Sequence, residues 1–195
     1  MVEFAPEAVE IESIFAPVYA KYEKDTGILQ LSTSAKWFST ITNDLSYMFS
    51  DFWSLECLDL SNIRILKPST MKSMFRNCGK LKEISFRNIN TSNLSDATGL
   101  FAGCHSLETI DWGEIDTRNV TSMVSMFWGC SSLKTIDLSK FDTSSIRFMD
   151  NLFNGCSNLE SIDLSYFKTP NLEGIYSMFS NCESLISIDL SIDIS

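Results

Sequence analysis

An aspartate recurs at a fixed step through this chain, at Asp111, Asp137, Asp163 and Asp189, and Asp59 keeps the same frame with Ser85 standing between it and Asp111. If units one step apart lie side by side, these carboxylates sit about 5 Å from one another and repel by ~1 kcal/mol at water's dielectric constant. Three chemistries fit such a ladder. It docks the Lys or Arg side chains of a partner, it holds a cation weakly, or each carboxylate is solvated by its own hydroxyls and turn amides. Thr109, Thr135, Ser161 and Ser187 on one side, and Ser139, Ser165 and Ser191 on the other, supply those hydroxyls. The calcium-binding repeat G-G-x-G-x-D is absent, which weighs against a specific metal.

Five cysteines, Cys78, Cys104, Cys130, Cys156 and Cys182, share the same step, with Phe52 in the corresponding place upstream. Zinc sites use short local spacings such as C-x-x-C, so this column does not read as a ligand set. Stacked cysteines approach closely, but with parallel Cα–Cβ vectors, a poor geometry for a disulfide. They read as small buried apolar residues. Cys57 is out of register, at the solvent-facing position of its strand, and is the candidate reactive thiol. The single histidine, His105, follows Cys104 in a turn and has no Ser/Asp partners outside the repeat. P-loop, G-x-G-x-x-G and H-E-x-x-H motifs are all missing, and no catalytic residue or cofactor is expected.

What positions these columns is a 26-residue repeat. Phe49, Phe75, Phe101, Phe127, Phe153 and Phe179 follow it without one insertion, as do Leu55, Leu81, Leu107, Leu133, Leu159 and Leu185. Within a unit, Thr135-Ile136-Asp137-Leu138-Ser139 alternates polar and apolar residues, the mark of a short strand with one buried face. The Ile110 and Ile136 segments are therefore expected to pair in a parallel sheet. Met123, Met126 and Phe127, at i, i+3 and i+4, predict one or two helical turns packed behind it. Asp51, Asn77, Gly103, Gly129, Gly155 and Asn181 form a column suited to the left-handed conformation that closes a helix. Thr91, Thr117, Thr143 and Thr169 mark turns after the strand, with hydroxyls able to bond nearby backbone.

The organisation expected is an α/β repeat solenoid. Residues 1–44 form an N-terminal helical cap and irregular half-repeat, and residues 45–195 form six repeats with the last truncated. In the cap, Ile11, Ile14, Phe15, Val18, Tyr19 and Tyr22 have helical spacing, interrupted at Pro17. Gly27 to Leu31 reads as a degenerate first strand. Exceptions to the columns are the informative positions for recognition. Trp53 and Trp128 replace polar or small residues, and Arg87 stands in the serine column after the strand. An exposed tryptophan is a good binding anchor, and partial burial is the alternative reading.

A net charge of −10 argues against nucleic acid and anionic membranes as partners and favours a neutral or cationic protein surface. Hydrophobic residues make up 44% of the chain, as in a folded globular protein, yet no run is long enough to span a bilayer. Met1-Val2-Glu3-Phe4 lacks a secretory n-region, so the chain reads as cytoplasmic, or as a cell-surface protein whose leader has been removed.

The unit M-x-x-M-F-x-G-C-x-x-L-x-x-I-D-L-S-x-F-D-T, read over roughly residues 45–191, resembles the repeat of BspA-like leucine-rich-repeat surface proteins. That resemblance implies a right-handed solenoid used in protein binding and adhesion, and it transfers no catalytic residues. Three functions follow as expectations. The first is a protein-binding scaffold using the sheet face or edge, with Asp59, Asp111, Asp137, Asp163, Asp189, Arg87, Trp53 and Trp128 as partner-binding candidates. The others are an adhesin fragment and an element that self-associates weakly end to end.

Overall fold

The computed structural model describes residues 18–23, 28–33, 43–59, 65–87 and 89–189. Among these described residues nine short strands run in chain order: β1 Val18–Glu23, β2 Ile28–Thr33, β3 Cys57–Asp59, β4 Ile65–Leu66, β5 Glu83–Ser85, β6 Ile89–Asn90, β7 Thr109–Asp111, β8 Ser161–Asp163 and β9 Ser187–Asp189. β1 and β2 form an antiparallel hairpin, and β2 then leads a parallel series in the order β1-β2-β3-β5-β7. β5 and β7 pair Ile84 with Ile110, and β8 and β9 pair Ile162 with Ile188, each one repeat apart. On a second side, single parallel bridges link Asp44, Thr70, Asp96, Ser122, Phe148 and Gly174 at the same step.

Residues one period apart are neighbours throughout. The rings of Phe49, Phe75, Phe101, Phe127, Phe153 and Phe179 stack nearly parallel, with centroids 5.3–6.0 Å apart. The cysteine column and the leucine column from Leu55 to Leu159 lie beside them in one continuous core.

No helix occurs among the described residues, which corrects two expectations. Val18, Tyr19 and Tyr22, expected in a helical cap, lie in β1; residues 1–17 are outside the described part. Pairing with β2 supplies backbone partners that an isolated turn of helix would lack. The expected helical turns behind the sheet are chained β-turns instead. Met74 donates to Met71, Arg76 to Ser73 and Cys78 to Phe75, each to the carbonyl three residues earlier, and Ser73 and Asn77 have φ of 53° and 59°. Left-handed residues at every fourth position forbid a helix. The intervening amides point along the stack: Met71, Ser73, Phe75 and Asn77 donate to the carbonyls of Asp96, Thr98, Leu100 and Ala102 in the next repeat. Apolar residues at i, i+3 and i+4 thus face the core without helical geometry.

The left-handed column read from Asn77 and the glycines is present, but it closes turns. A second left-handed column, at Tyr47, Ser73, Gly99, Ser125, Asn151 and Ser177, was not anticipated. The threonines also act further afield than expected. Thr91, Thr117 and Thr143 are buried and donate to the carbonyls of Asp116, Asp142 and Lys168 in the following repeat, at 2.9–3.0 Å.

One expected pairing fails. Thr135-Ile136-Asp137 belongs to no strand, so the ladder stops after β7 and resumes at β8. The core changes at the first of the two unpaired junctions. Trp112 takes a place held by Phe86, Leu138 and Leu164 in other repeats, and its ring wedges between Phe101, Phe127 and Phe141, 4.8 Å from the last. The Phe101–Phe127 spacing is the widest of the stack, 6.0 Å. An indole needs more depth than a strand spacing of about 4.8 Å gives. Across this junction the large residue changes sides, from Phe86 with Ile89 and Trp112 with Ile115 to Leu138 with Phe141 and Leu164 with Phe167.

Candidate functional site on the sheet face

The acidic column occupies the strand's outer face, but its members are not equivalent. Asp59 pairs in register with Gln30 through the backbone, and its side chain is outside the described part. Asp111 is already engaged: Arg87 Nε stands 2.5 Å from its Oδ2, and Ser85 Oγ donates to the same oxygen at 3.0 Å. Arg87, expected as a partner-binding exception, therefore neutralises the column at its first described carboxylate. Partial burial pushes the Asp111 carboxyl up, but the Gly113 amide, the Ser85 hydroxyl and the Arg87 charge together hold it below the usual range.

Further along, each carboxylate closes a turn on itself. The amide of Ser139 donates to Asp137 Oδ1 at 2.9 Å, and that of Ser165 to Asp163 Oδ1 at 2.8 Å. Those serines, through hydroxyl and amide, lower both carboxyls despite slight desolvation. At Asp163 the neighbouring Asp137 charge works in the opposite direction. Serine two residues after the aspartate is the signal for this turn, an Asx-type local bond. Asp137, Asp163 and Asp189 are exposed and make no ion pair among the described residues. Asp163 and Asp189, with Ser161 and Ser187, line a shallow hollow on the β8–β9 surface.

The tryptophans lie elsewhere. Trp53 is 71% and Trp128 46% exposed, in the first and fourth repeats, and both stand in the turn segment before the strand rather than on it. They are exposed aromatic positions, but they do not join each other or the aspartates in one site. Three ion pairs escaped the sequence reading. Lys82 pairs with Glu56 at 3.4 Å, Arg118 pairs with Asp116 at 2.9 Å, and Arg147 pairs with Glu173 while lying 5.3 Å from the Phe148 ring centre. Each arises where a cation falls one period or two residues from an acid.

The cysteines serve the core. Each thiol in the column donates to a phenylalanine carbonyl of the preceding repeat: Cys78 to Phe49, Cys104 to Phe75, Cys130 to Phe101, Cys156 to Phe127 and Cys182 to Phe153, at 3.0–3.3 Å. Burial pushes Cys78 and Cys156 up to about 12, and Cys104 and Cys130 well above the ordinary thiol value. Cys57 is half-buried, as is Cys182. His105 is an exposed turn residue whose Nδ1 lies 2.8 Å from the Gly129 carbonyl. No group of three or more His, Cys, Asp or Glu among the described residues is placed to hold a metal ion. No helix there is long and apolar enough to cross a membrane.

A solved structure similar to this chain is the crystal structure of the T. pallidum leucine-rich repeat protein, 13% identical, with 89% of this chain and 79% of that one covered and a TM-score of 0.42. No curated protein matches the chain. A family model described as "Mycoplasma protein of unknown function, DUF285" matches residues 31–112 and 96–193. Those two matches overlap and take in every one of the six stacked repeats, and the chain belongs to the DUF285 family of Mycoplasma proteins of unknown function.

Proposed function

We propose that this protein is an interaction scaffold whose sheet face binds a protein partner through cationic side chains, with Asp137, Asp163 and Asp189 as the docking stripe. The observation that carries the reading is that these three carboxylates are exposed and make no ion pair among the described residues, whereas Asp111 carries its own arginine. The amide-closed turns at Asp137 and Asp163 fix their carboxylates, so little side-chain freedom remains to be lost on binding. A rigid stack of acids steers a basic partner and sets salt dependence more than it sets affinity. Trp53 and Trp128 would add anchors only for a partner that wraps beyond the sheet. The likeness of the repeat to BspA-like surface proteins favours protein binding and leaves an adhesin role as a second reading. A reducing compartment agrees with the thiol column, whose members form no disulfide among the described residues.

The test is capture of partners from native lysate at low and raised salt, followed by the Asp137→Asn/Asp163→Asn double variant. Two exposed ion pairs contribute weakly, so affinity should fall about fivefold at most. Unchanged affinity, or retention that ignores salt, would remove the acidic stripe from the binding surface.

A further inference from the structure

The turn segments form a ridge along the stack, and four of its backbone amides cross each of the five repeat junctions to carbonyls of the next repeat. Around the second repeat the sign of the chain's charge reverses. Lys67, Lys72, Arg76, Lys80, Lys82 and Arg87 fall within residues 67–87 beside a single acid, Glu83, although the chain holds 15 cations against 25 acids. Lys82 and Arg87 are engaged by Glu56 and Asp111. Lys72 and Arg76, on the ridge, are exposed and make no ion pair among the described residues. Asp51, in the preceding turn, is held by Asn77 at 2.8 Å and Ser50 at 2.9 Å, and Arg76 acts on it only through its charge. Both cations are fixed at the root. Their carbonyls accept the amides of Tyr47 and Asp51 at 2.9 and 2.7 Å, and the residues after them, Ser73 and Asn77, are left-handed. Met71, Ser73, Met74 and Phe75 are buried, so between residues 71 and 76 the two cations alone face outward.

The same two columns continue along the ridge. One repeat on they hold Thr98 and Ala102, and two repeats on Val124 and Trp128. Thr98 shares its hydroxyl with Ser122 at 2.7 Å and Ala102 is buried, so the third repeat is a low neutral shelf. Beyond it Val124 is half-buried and Trp128 exposed. The phenylalanine rings beneath set the two steps at 5.5 and 6.0 Å, so the cationic and apolar pairs stand about 11 Å apart across the shelf. We propose that this ridge is a second docking surface, for an acidic peptide segment of a protein partner, with carboxylates on Lys72 and Arg76 and an apolar side chain on Trp128. An extended peptide advances ~3.4 Å per residue with side chains alternating in direction. Adjacent acids therefore reach the two cations, and an apolar residue two to four positions further reaches the indole. Guanidinium binds carboxylate through two parallel hydrogen bonds, and Arg and Trp are the side chains that most often dominate an interface. Charges are screened beyond about 8 Å at physiological ionic strength, so the net −10 does not cancel this patch at contact. A long polyanion would run from two cations onto acidic surface, whereas a short segment stays on the patch. The surface is independent of the sheet face and selects the opposite charge.

The experiment is an amide-correlation NMR titration of the full chain with a terminally blocked pentapeptide of two glutamates, two serines and a closing phenylalanine, up to millimolar concentration. Shifts should centre on the amides of Lys72, Arg76, Ala102 and Trp128 and on the Trp128 indole. A peptide with glutamines in place of the glutamates should bind about fivefold more weakly, and one ending in alanine at least about fivefold more weakly, two readouts that need no protein variant. Lys72→Thr/Arg76→Ala gives the second repeat the residues of the third and should abolish the preference for glutamate over glutamine. Trp128→Ala does the same for its column and should abolish the preference for phenylalanine. Lys134→Ser/Lys168→Ser, with the same change in net charge, should bind as the wild type does. Each variant is checked for a native circular-dichroism melt. The proposal is overturned by a glutamine peptide that binds as tightly, by shifts absent or centred elsewhere, or by an equal loss in the Lys134/Lys168 variant. A short oligothymidylate that shifts the same amides at lower concentration than the peptide would overturn it in favour of nucleic acid.

Discussion

Raising the pH past 9 should destabilise this protein through its cysteines, and replacing one of them should blunt the effect. Cys156 is fully buried, donates to the Phe127 carbonyl at 3.1 Å, and is pushed up to about 12 by desolvation against an ordinary value of 9.0. The unfolded chain releases this proton above pH 9, whereas the folded one keeps it until about 12. The raised value therefore contributes fully below pH 9 and is lost as pH rises, at ~1.4 kcal/mol per unit. Per thiol the loss is roughly 1 kcal/mol at pH 10 and roughly 3 kcal/mol at pH 11. Cys156→Ala removes the titration along with the thiol's hydrogen bond and some packing, at about 1–2 kcal/mol near neutrality. Urea unfolding under reducing conditions should show the wild type ahead by that amount at pH 7.5, level with the variant near pH 10, and behind it above. Cys156→Ser, which keeps a donor and does not titrate, should lose the same slope. A difference between wild type and either variant that stays constant from pH 7.5 to 10.5 would refute the buried, proton-retaining column.

Trp112→Phe should leave stability within about 1 kcal/mol of wild type, because the smaller ring gives up burial but removes an indole Nε1 that is buried without a partner among the described residues. Trp112→Ala should cost about 3–5 kcal/mol by the same urea assay, and amide exchange at residues 135–137 should slow in the phenylalanine variant as the strand ladder closes. Gly155→Ala should cost about 1–2 kcal/mol, since φ is 81° and the new Cβ meets Gly129 backbone at 3.4 Å. Gly155→Asn, the residue of the same column at positions 77 and 181, should cost less in a thermal melt. Arg87→Ala should change stability by under about 0.5 kcal/mol and raise affinity for a cationic partner, because Asp111 then joins the open stripe; lowered affinity in a titration would mean that Arg87 itself touches the partner.

The stack was legible because its basis is arithmetic. Six phenylalanines at one spacing must become neighbours if each unit repeats its fold, and the rings do stack. The backbone between them was less legible. Met123, Met126 and Phe127 carry a spacing shared by a helix and by linked β-turns, and periodicity alone does not separate the two. The distinguishing sign was present in Gly99 and Asn151, four residues before Gly103 and Gly155: two left-handed positions in one segment are incompatible with a helix. The β1 error has a similar origin. Val18, Tyr19 and Tyr22 fit a helical face, but Val18, Ala20 and Tyr22 fit a strand equally, and pairing with β2 decides between them. At the candidate site, the aspartate turns followed from the serine two residues on. The Arg87–Asp111 pair joins residues far apart in sequence and becomes visible only once β5 and β7 are side by side.

The same backbone logic explains why the period never slips. Interior repeats are tied to their neighbours by the strand or its turn, by four ridge amides, by a threonine hydroxyl and by a cysteine thiol, each reaching a fixed distance along the chain. One inserted residue would break all of these registers together, at ~1 kcal/mol or more for each buried group left unsatisfied. Substitution at a single position disturbs only one. Variation in such a chain is therefore confined to exchanges such as Trp112 in the core, Arg87 on the sheet and Trp53 or Trp128 on the ridge. Of these, Trp112 stands where the strand ladder stops, while the ridge bonds continue unbroken from repeat to repeat. The sheet face is consequently two rigid surfaces, β3 to β7 with its compensated acid and β8 to β9 with its open ones, and a partner that needs consecutive carboxylates finds them only beyond the wedge.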